Sequence, residues 1–354
     1  MKPPSYHPGL NRFATASALA ALLLIALGGL VTSHEAGLAV PDWPTTFGYN
    51  MFLFPVSRWR GGVFFEHVHR LFASGVGLLT VGLAICLWRC DDRLWVRRLG
   101  GLAVLLVVAQ GILGGLRVTQ GSNQLGLVHA TLAHLFLALM ASLALFTSKT
   151  WLRATASNDA LEQTPSSSTL AGAYFVLTLV ILLQLLLAAT MRHQHAGLMI
   201  PDFPTTFGRW WPDVSTTALA HYNQAQPPGI SHPLITAFRV RLHLAHRAVA
   251  LVILCGTAWA AWQTIRSLGA KHLLARLCSA WAGLVFLQFA LGAATVWTGK
   301  NPAVATLHVV FGAVTLVLGN LTTLLSLRRL APAPAWVPDP VSRGFPTPTL
   351  QRFL

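Results

Sequence analysis

Residues 36–48 read AGLAVPDWPTTFG, and residues 196–208 read AGLMIPDFPTTFG. Ten of the thirteen positions are identical, so the chain carries an internal duplication. Further matches follow both copies in the same order. His69-Arg70 corresponds to His246-Arg247, Gln110 with Gly114 to Gln288 with Gly292, and His129 to His308. The spacing from His69 to His129 is 60 residues, and from His246 to His308 it is 62. Whatever one half folds into, the other repeats.

What each half folds into follows from composition. Hydrophobic residues make up 54% of the 354-residue chain and charged residues only 10%, against roughly 25% charged in an average soluble domain. A bilayer core needs about 20 apolar residues per helix. Eight stretches supply them, at roughly 13–33, 66–88, 99–117, 125–147, 169–191, 243–265, 277–298 and 303–327. The first follows Lys2 and Arg12, as a signal peptide would. It is too long for such a segment, no clear cleavage site follows it, and it has a counterpart later in the chain, so it is read as a helix. The net charge of +15 does not indicate nucleic acid, because the basic residues punctuate apolar runs and form no stripe. With the N-terminus inside, 15 of the 25 Lys and Arg fall on the cytoplasmic side and ten outside, as the positive-inside bias requires.

The expected fold is therefore an all-α integral membrane protein of eight transmembrane helices, two duplicated four-helix bundles with both termini cytoplasmic. An even number of helices per half makes the repeats parallel, related by an axis along the membrane normal. The expected divisions are a first half at 1–148, a polar cytoplasmic linker at 149–168, a second half at 169–329 and a Pro-rich disordered tail at 330–354. Both PDxPTTFG loops then lie outside. Four Cys, two of them inside apolar runs, argue against a disulfide framework.

His69, His129, His246 and His308 all lie near the outer ends of their helices, one on the second and one on the fourth helix of each half. Two imidazoles facing each other across a bundle suit the two sides of a haem iron, whereas a tetrahedral zinc site needs more ligands close together. Taken singly, each His reads better as an interfacial or hydrogen-bonded core residue than as a ligand; matched pairs in a duplicated frame favour ligands. Arg70 and Arg247 read either as fork-like partners for haem propionates or as snorkelling boundary residues. Glu66 and His69 share a helix face at i,i+3. Glu66 stands where the second half has His243, so it reads either as a proton-moving carboxylate or as an i,i+4 salt bridge to Arg70. Asp42 and Asp202 fit turn-forming hydrogen bonds best. Glu35 and His195 are equivalent positions with no evident common purpose. His34, His193, His221 and His232 lie in or beside outer loops, and together with His67 and His134 read as structural or solvated.

Glu66-x-x-His69-Arg70, His129, His246-Arg247, His308 and the paired outer loops together resemble the haem A synthase family over about residues 13–327. That resemblance implies oxidation of the C8 methyl of haem O to the formyl group of haem A by successive hydroxylations, for cytochrome oxidase biogenesis. It implies resident haem b on His246 and His308, a substrate haem O site at His69, His129 and Arg70, an essential Glu66, and Arg247 as a candidate for propionate binding. The implied partners are haem O, the enzyme that makes it, an electron donor, the bilayer and a second copy of the chain. The implied location is a bacterial plasma membrane with the haem sites towards the outer face. Some bacterial members carry a Cys pair in an outer loop of each half; here Cys86, Cys90, Cys255 and Cys278 all lie elsewhere. A non-catalytic dihaem electron carrier and a haem transporter or chaperone are the alternatives. The outer segment 209–242 exceeds its counterpart 49–65 with no reason visible in the sequence.

Overall fold

The computed structural model describes residues 6–153, 165–226 and 233–330, with 165–168, 329 and 330 described by backbone alone. Eight helices are long and apolar enough to cross a membrane. In the first half they are α1 (Pro8–Ser33), α2 (Gly62–Cys90), α3 (Leu94–Gln120) and α4 (Asn123–Phe146). A short α5 (Lys149–Arg153) follows. The second half contains α6 (Pro165–His193), α8 (Ala237–Leu268), α9 (Leu273–Trp297) and α10 (Pro302–Leu330), with α7 (Thr216–Gln224) lying in the loop before α8. Most of the linker read at 149–168 and nearly all of the tail read at 330–354 lie outside the described residues.

Helices α2 and α8 begin several residues before the apolar runs that announce them. Glu66 and Arg70, and likewise His243 and Arg247, lie beyond the first turn of their helices and find their partners in the preceding loop. Each half is a closed ring. In the first, α1 packs on α2 and α4, and α3 packs on the same two; α6, α8, α9 and α10 repeat that arrangement. Leu83, Leu87, Val96, Met140 and Leu143 fill the first core, and Tyr174, Ile253, Ala260, Cys278 and Trp281 fill the second. The seam between halves joins α1 to α10, α4 to α6 and α4 to α10. Since α1 corresponds to α6 and α4 to α10, the first two contacts are copies of each other.

The loop joining α2 and α3 is stitched shut where it stands. Asp91 accepts from Arg93 Nη2 at 2.6 Å, and the same guanidinium donates to the Phe146 carbonyl at 2.9 Å. At the opposite end, α1 and α6 finish identically. Glu35 and His195 have φ of 55° and 52°. The following residue's N–H bonds back to Val31 or Met191, at 2.8 Å in each case. This is a Schellman ending, and it explains the equivalence of Glu35 and His195: the position is set by backbone conformation, not by a shared side-chain task. The longer second outer segment builds α7, whose Tyr222 stacks on Phe207 with ring centroids 3.8 Å apart. Asn223 ties α7 to Ile235 through bonds of 3.0 and 2.8 Å.

Candidate functional site

Both PDxPTTFG loops fold in the same way. Asp42 accepts from the backbone N–H groups of Phe47 and Gly48 at 2.7 and 2.8 Å and from Thr45 Oγ1 at 2.5 Å. Asp202 does the same with Phe207, Gly208 and Thr205, at 2.7, 2.8 and 2.6 Å. The turn-forming role read for these aspartates is thus what they do. Burial pushes both carboxyls up, but the donors around them outweigh it and hold both below the ordinary 3.8. A depressed carboxylate stabilises the fold fully above its ordinary pKa and loses that contribution as pH falls through the lower folded value. Limited proteolysis of the loops is therefore expected to rise only below about pH 4. Asp42→Asn should make the first loop protease-sensitive already at neutral pH and remove the acid dependence there.

Beneath each loop an arginine clamps its backbone. Arg70 donates to the carbonyls of Asp42, Thr45 and Val40 at 2.7, 3.2 and 2.9 Å, and to Glu66 Oε1 at 2.7 Å. Arg247 donates to Asp202 and Thr205 carbonyls at 2.7 and 2.9 Å and lies over the Phe203 ring at 5.3 Å. Its buried Nε keeps no partner among the described residues. The Glu66/His243 contrast also resolves. Glu66 Oε2 accepts from the Val40 N–H at 3.0 Å, and His243 Nδ1 accepts from the Ile200 N–H at 3.4 Å. Both side chains receive the same loop amide; only Glu66 adds a charge, which Arg70 balances. The i,i+4 salt bridge read from the sequence is present, with Glu66 4% and Arg70 9% exposed.

The four histidines stand roughly 9–14 Å into their helices from the same end of the bundle, at 1.5 Å per residue. The His246 and His308 rings have centroids 6.5 Å apart. His69 and His129 are near enough for charge on one to act on the other. In all four, Nδ1 is enclosed and has no hydrogen-bond partner among the described residues. The structural histidines differ. His67 Nδ1 pairs with Thr46 at 3.3 Å, His134 Nδ1 with the Ala130 carbonyl at 2.8 Å, and His243 Nδ1 with Ile200. Buried polar atoms are normally paired, and the four unpartnered Nδ1 atoms recur at matched places in the two halves; His67 Nε2 is likewise unpartnered, while His246 Nε2 lies 3.3 Å from Gln184 Nε2. Two metal–nitrogen bonds of about 2 Å plus about 1.2 Å from each nitrogen to its ring centre ask for roughly 6.4 Å between centroids. The 6.5 Å between the His246 and His308 centroids is compatible with that separation, so these two residues would be the ones to hold a haem iron there. Among the described residues, no group of three or more His, Cys, Asp and Glu is placed to hold a metal ion.

The Gln–Gly pairs explain how the rings are held. Gln110 donates to the His129 carbonyl at 3.0 Å and Gln288 to the His308 carbonyl at 2.7 Å. One turn on, a Cβ at Gly114 or Gly292 would stand 3.3 or 3.2 Å from the imidazole Cε1 of His129 or His308. Gly292→Val is expected to push His308 aside and cost about 1–3 kcal/mol, which thermal unfolding and the haem spectrum would both register. His246 is held by Gln184, which donates to its carbonyl at 2.9 Å. Gln184 has no counterpart in the repeat and went unnoticed in the sequence. So did Arg117 and Arg192. His193, read as lying in or beside an outer loop, is the last residue of α6 and packs against Gly126 of α4. His232 lies outside the described residues.

Fold and site together define a polytopic membrane protein with two matched histidine pairs under two matched loops. Over residues 54–319 the chain matches the COX15-CtaA family, described as cytochrome oxidase assembly protein, and it belongs to that family. Among its relatives, a heme A synthase of Shouchella clausii is 29% identical over 82% of this chain and 88% of its own length. Those of Shewanella oneidensis and Rhizorhabdus wittichii are 26% and 25% identical, over 86% and 87% of this chain and 92% of their own lengths in both cases.

Proposed function

We propose that the protein is a haem A synthase, a membrane oxidoreductase that converts the C8 methyl of haem O to a formyl group by successive hydroxylations. The observation that carries this reading is the second histidine pair, whose spacing fits one iron. The naming of relatives matched over most of their length supports the reaction. In this reading His246 and His308 hold haem b as the resident cofactor, and His69 and His129 form the site for substrate haem O. When bound, the resident haem supplies one-electron redox chemistry. The first half, residues 1–148, is then the substrate half, and 169–329 the cofactor half.

Glu66 is the carboxylate of the first site. It sits one turn before His69 on the same face, tied to Arg70 through Oε1, and can hold or return a proton there. Arg70 acts mainly by fixing the loop that roofs the site. Arg247 fixes the second loop and retains Nε for an acidic group such as a propionate. In this reading the histidine end of the bundle faces outward and the termini inward, which the distribution of Lys and Arg supports, and the bacterial relatives support a plasma membrane. All four histidines lie towards one face, which weighs against a carrier passing electrons across the bilayer.

The test is expression of the full chain in a host that makes haem O but lacks its own synthase, followed by chromatography and mass analysis of extracted haems. Hydroxymethyl or formyl products are expected. Haem O as the sole product, from a protein that is folded and haem-loaded, would refute the assignment.

A further inference from the structure

Two guanidinium groups stand at the seam between the halves without a carboxylate. Arg117 is on the last turn of α3 and Arg192 on the last turn of α6. Among the described residues neither forms an ion pair; the four pairs present use Arg70, Arg93, Arg97 and Lys300. Both oxygens of Glu66, the nearest acid to influence Arg117, already accept from Arg70 and Val40.

Arg117 has a cradle. A Cβ at Gly37 would come within 2.5 Å of its Nη2, and one at Gly126 within 3.0 Å of its Nε. The same Gly126 receives the His193 ring from across the seam. Arg192 donates to Thr32 Oγ1 of α1. Gly126 stands three residues before His129 on α4, which brings Arg117 beside the first pair, and Thr32 precedes Ser33, whose hydroxyl accepts from Thr306 at 3.2 Å, two residues before His308, which brings Arg192 beside the second. Each histidine pair thus has one uncompensated guanidinium beside it. Half-buried positive charge within a membrane bundle is costly unless an anion balances it. Neither arginine is a product of the repeat: Thr295 stands at the position of Arg117, and Thr32 at that of Arg192.

We infer that Arg117 and Arg192, with His193 between them, form an anion-binding seam that takes carboxylate groups of the porphyrins held by the two histidine pairs. This rests on the haem reading above and adds to it the groups that orient each porphyrin. A guanidinium grips a carboxylate in a bidentate fork, which fixes rotation of the ring about the axis through its two imidazoles. The competing source of the same anionic chemistry is a lipid phosphate.

The full chain, produced without haem and placed in phosphatidylcholine nanodiscs, would be titrated with iron protoporphyrin IX and with its dimethyl ester, following the Soret band. The diacid should bind about tenfold to a hundredfold more tightly than the diester. In the Arg117→Gln/Arg192→Gln double variant the gap should shrink to about twofold, and Arg→Lys at both positions should restore part of it. Equal affinity of wild-type protein for diacid and diester overturns the inference without touching the haem reading, and so does a full gap in the double variant. If the double variant differs from wild type only once phosphatidylglycerol is added to the discs, the seam serves lipid phosphate and the inference fails. Absence of binding that depends on His246 and His308 would instead sink the haem reading itself.

Discussion

Glu66→Gln is expected to leave the protein folded and haem-loaded while lowering hydroxylated and formyl products from haem O by about 10²–10⁴-fold. Glutamine keeps an acceptor for the Val40 N–H but cannot hold a proton as a carboxylate does. Glu66→Ala is a poorer test. Any of glutamine, alanine or histidine here removes the counter-ion of Arg70, which keeps its three backbone carbonyls, but alanine alone also leaves the Val40 amide without an acceptor. The second half suggests the sharper variant. His243 accepts the corresponding amide from Ile200, so Glu66→His should preserve loop anchoring by the same device and still lack the carboxylate. A Glu66→His protein with intact loops, normal haem content and near-normal product would reduce Glu66 to an anchor. The measurements are extracted-haem chromatography for product and limited proteolysis for the loop.

The second large effect is expected at the paired rings. His246→Ala or His308→Ala removes one side of the 6.5 Å ring pair, and the resident haem should be lost or its spectrum shifted away from that of two axial imidazoles. Pyridine haemochrome assay and absorbance of the purified protein read this out. His243→Ala, one turn away on α8, is the control. It removes the acceptor for Ile200 and should loosen the second loop with a much smaller effect on the spectrum. Unaltered haem content and spectrum in both ligand variants would refute the resident-site assignment.

The parts of this molecule legible in the sequence are those that the repeat writes twice. Eight apolar runs mark the helices, and the doubled His69/His129 and His246/His308 spacing marks the pairs. Hydropathy does not fix the outer edges of the second and sixth spans, because both begin with ionisable residues; α2 runs outward from Glu66 to Gly62 and α8 from His243 to Ala237. The clamp role of Arg70 and Arg247 was hidden for a related reason. Their acceptors are backbone carbonyls, which leave no trace in side-chain pattern. Arg117, Arg192 and Gln184 were invisible for the opposite reason: a search for matched residues passes over whatever occurs once.

Arg192 faces Thr32, and these two residues are each other's counterparts in the duplication. In an assembly of two separate, identical halves, the α1–α10 and α6–α4 contacts would be one isologous patch meeting itself. Position 32 would then face its own copy, arginine against arginine or threonine against threonine, and no mutation could make the two sides differ. Joining the halves into one chain removes that constraint. It allows a cation on one side of the axis and a hydroxyl on the other, a carboxylate at 66 and an imidazole at 243. Covalent continuity thereby permits two sites of common design to specialise.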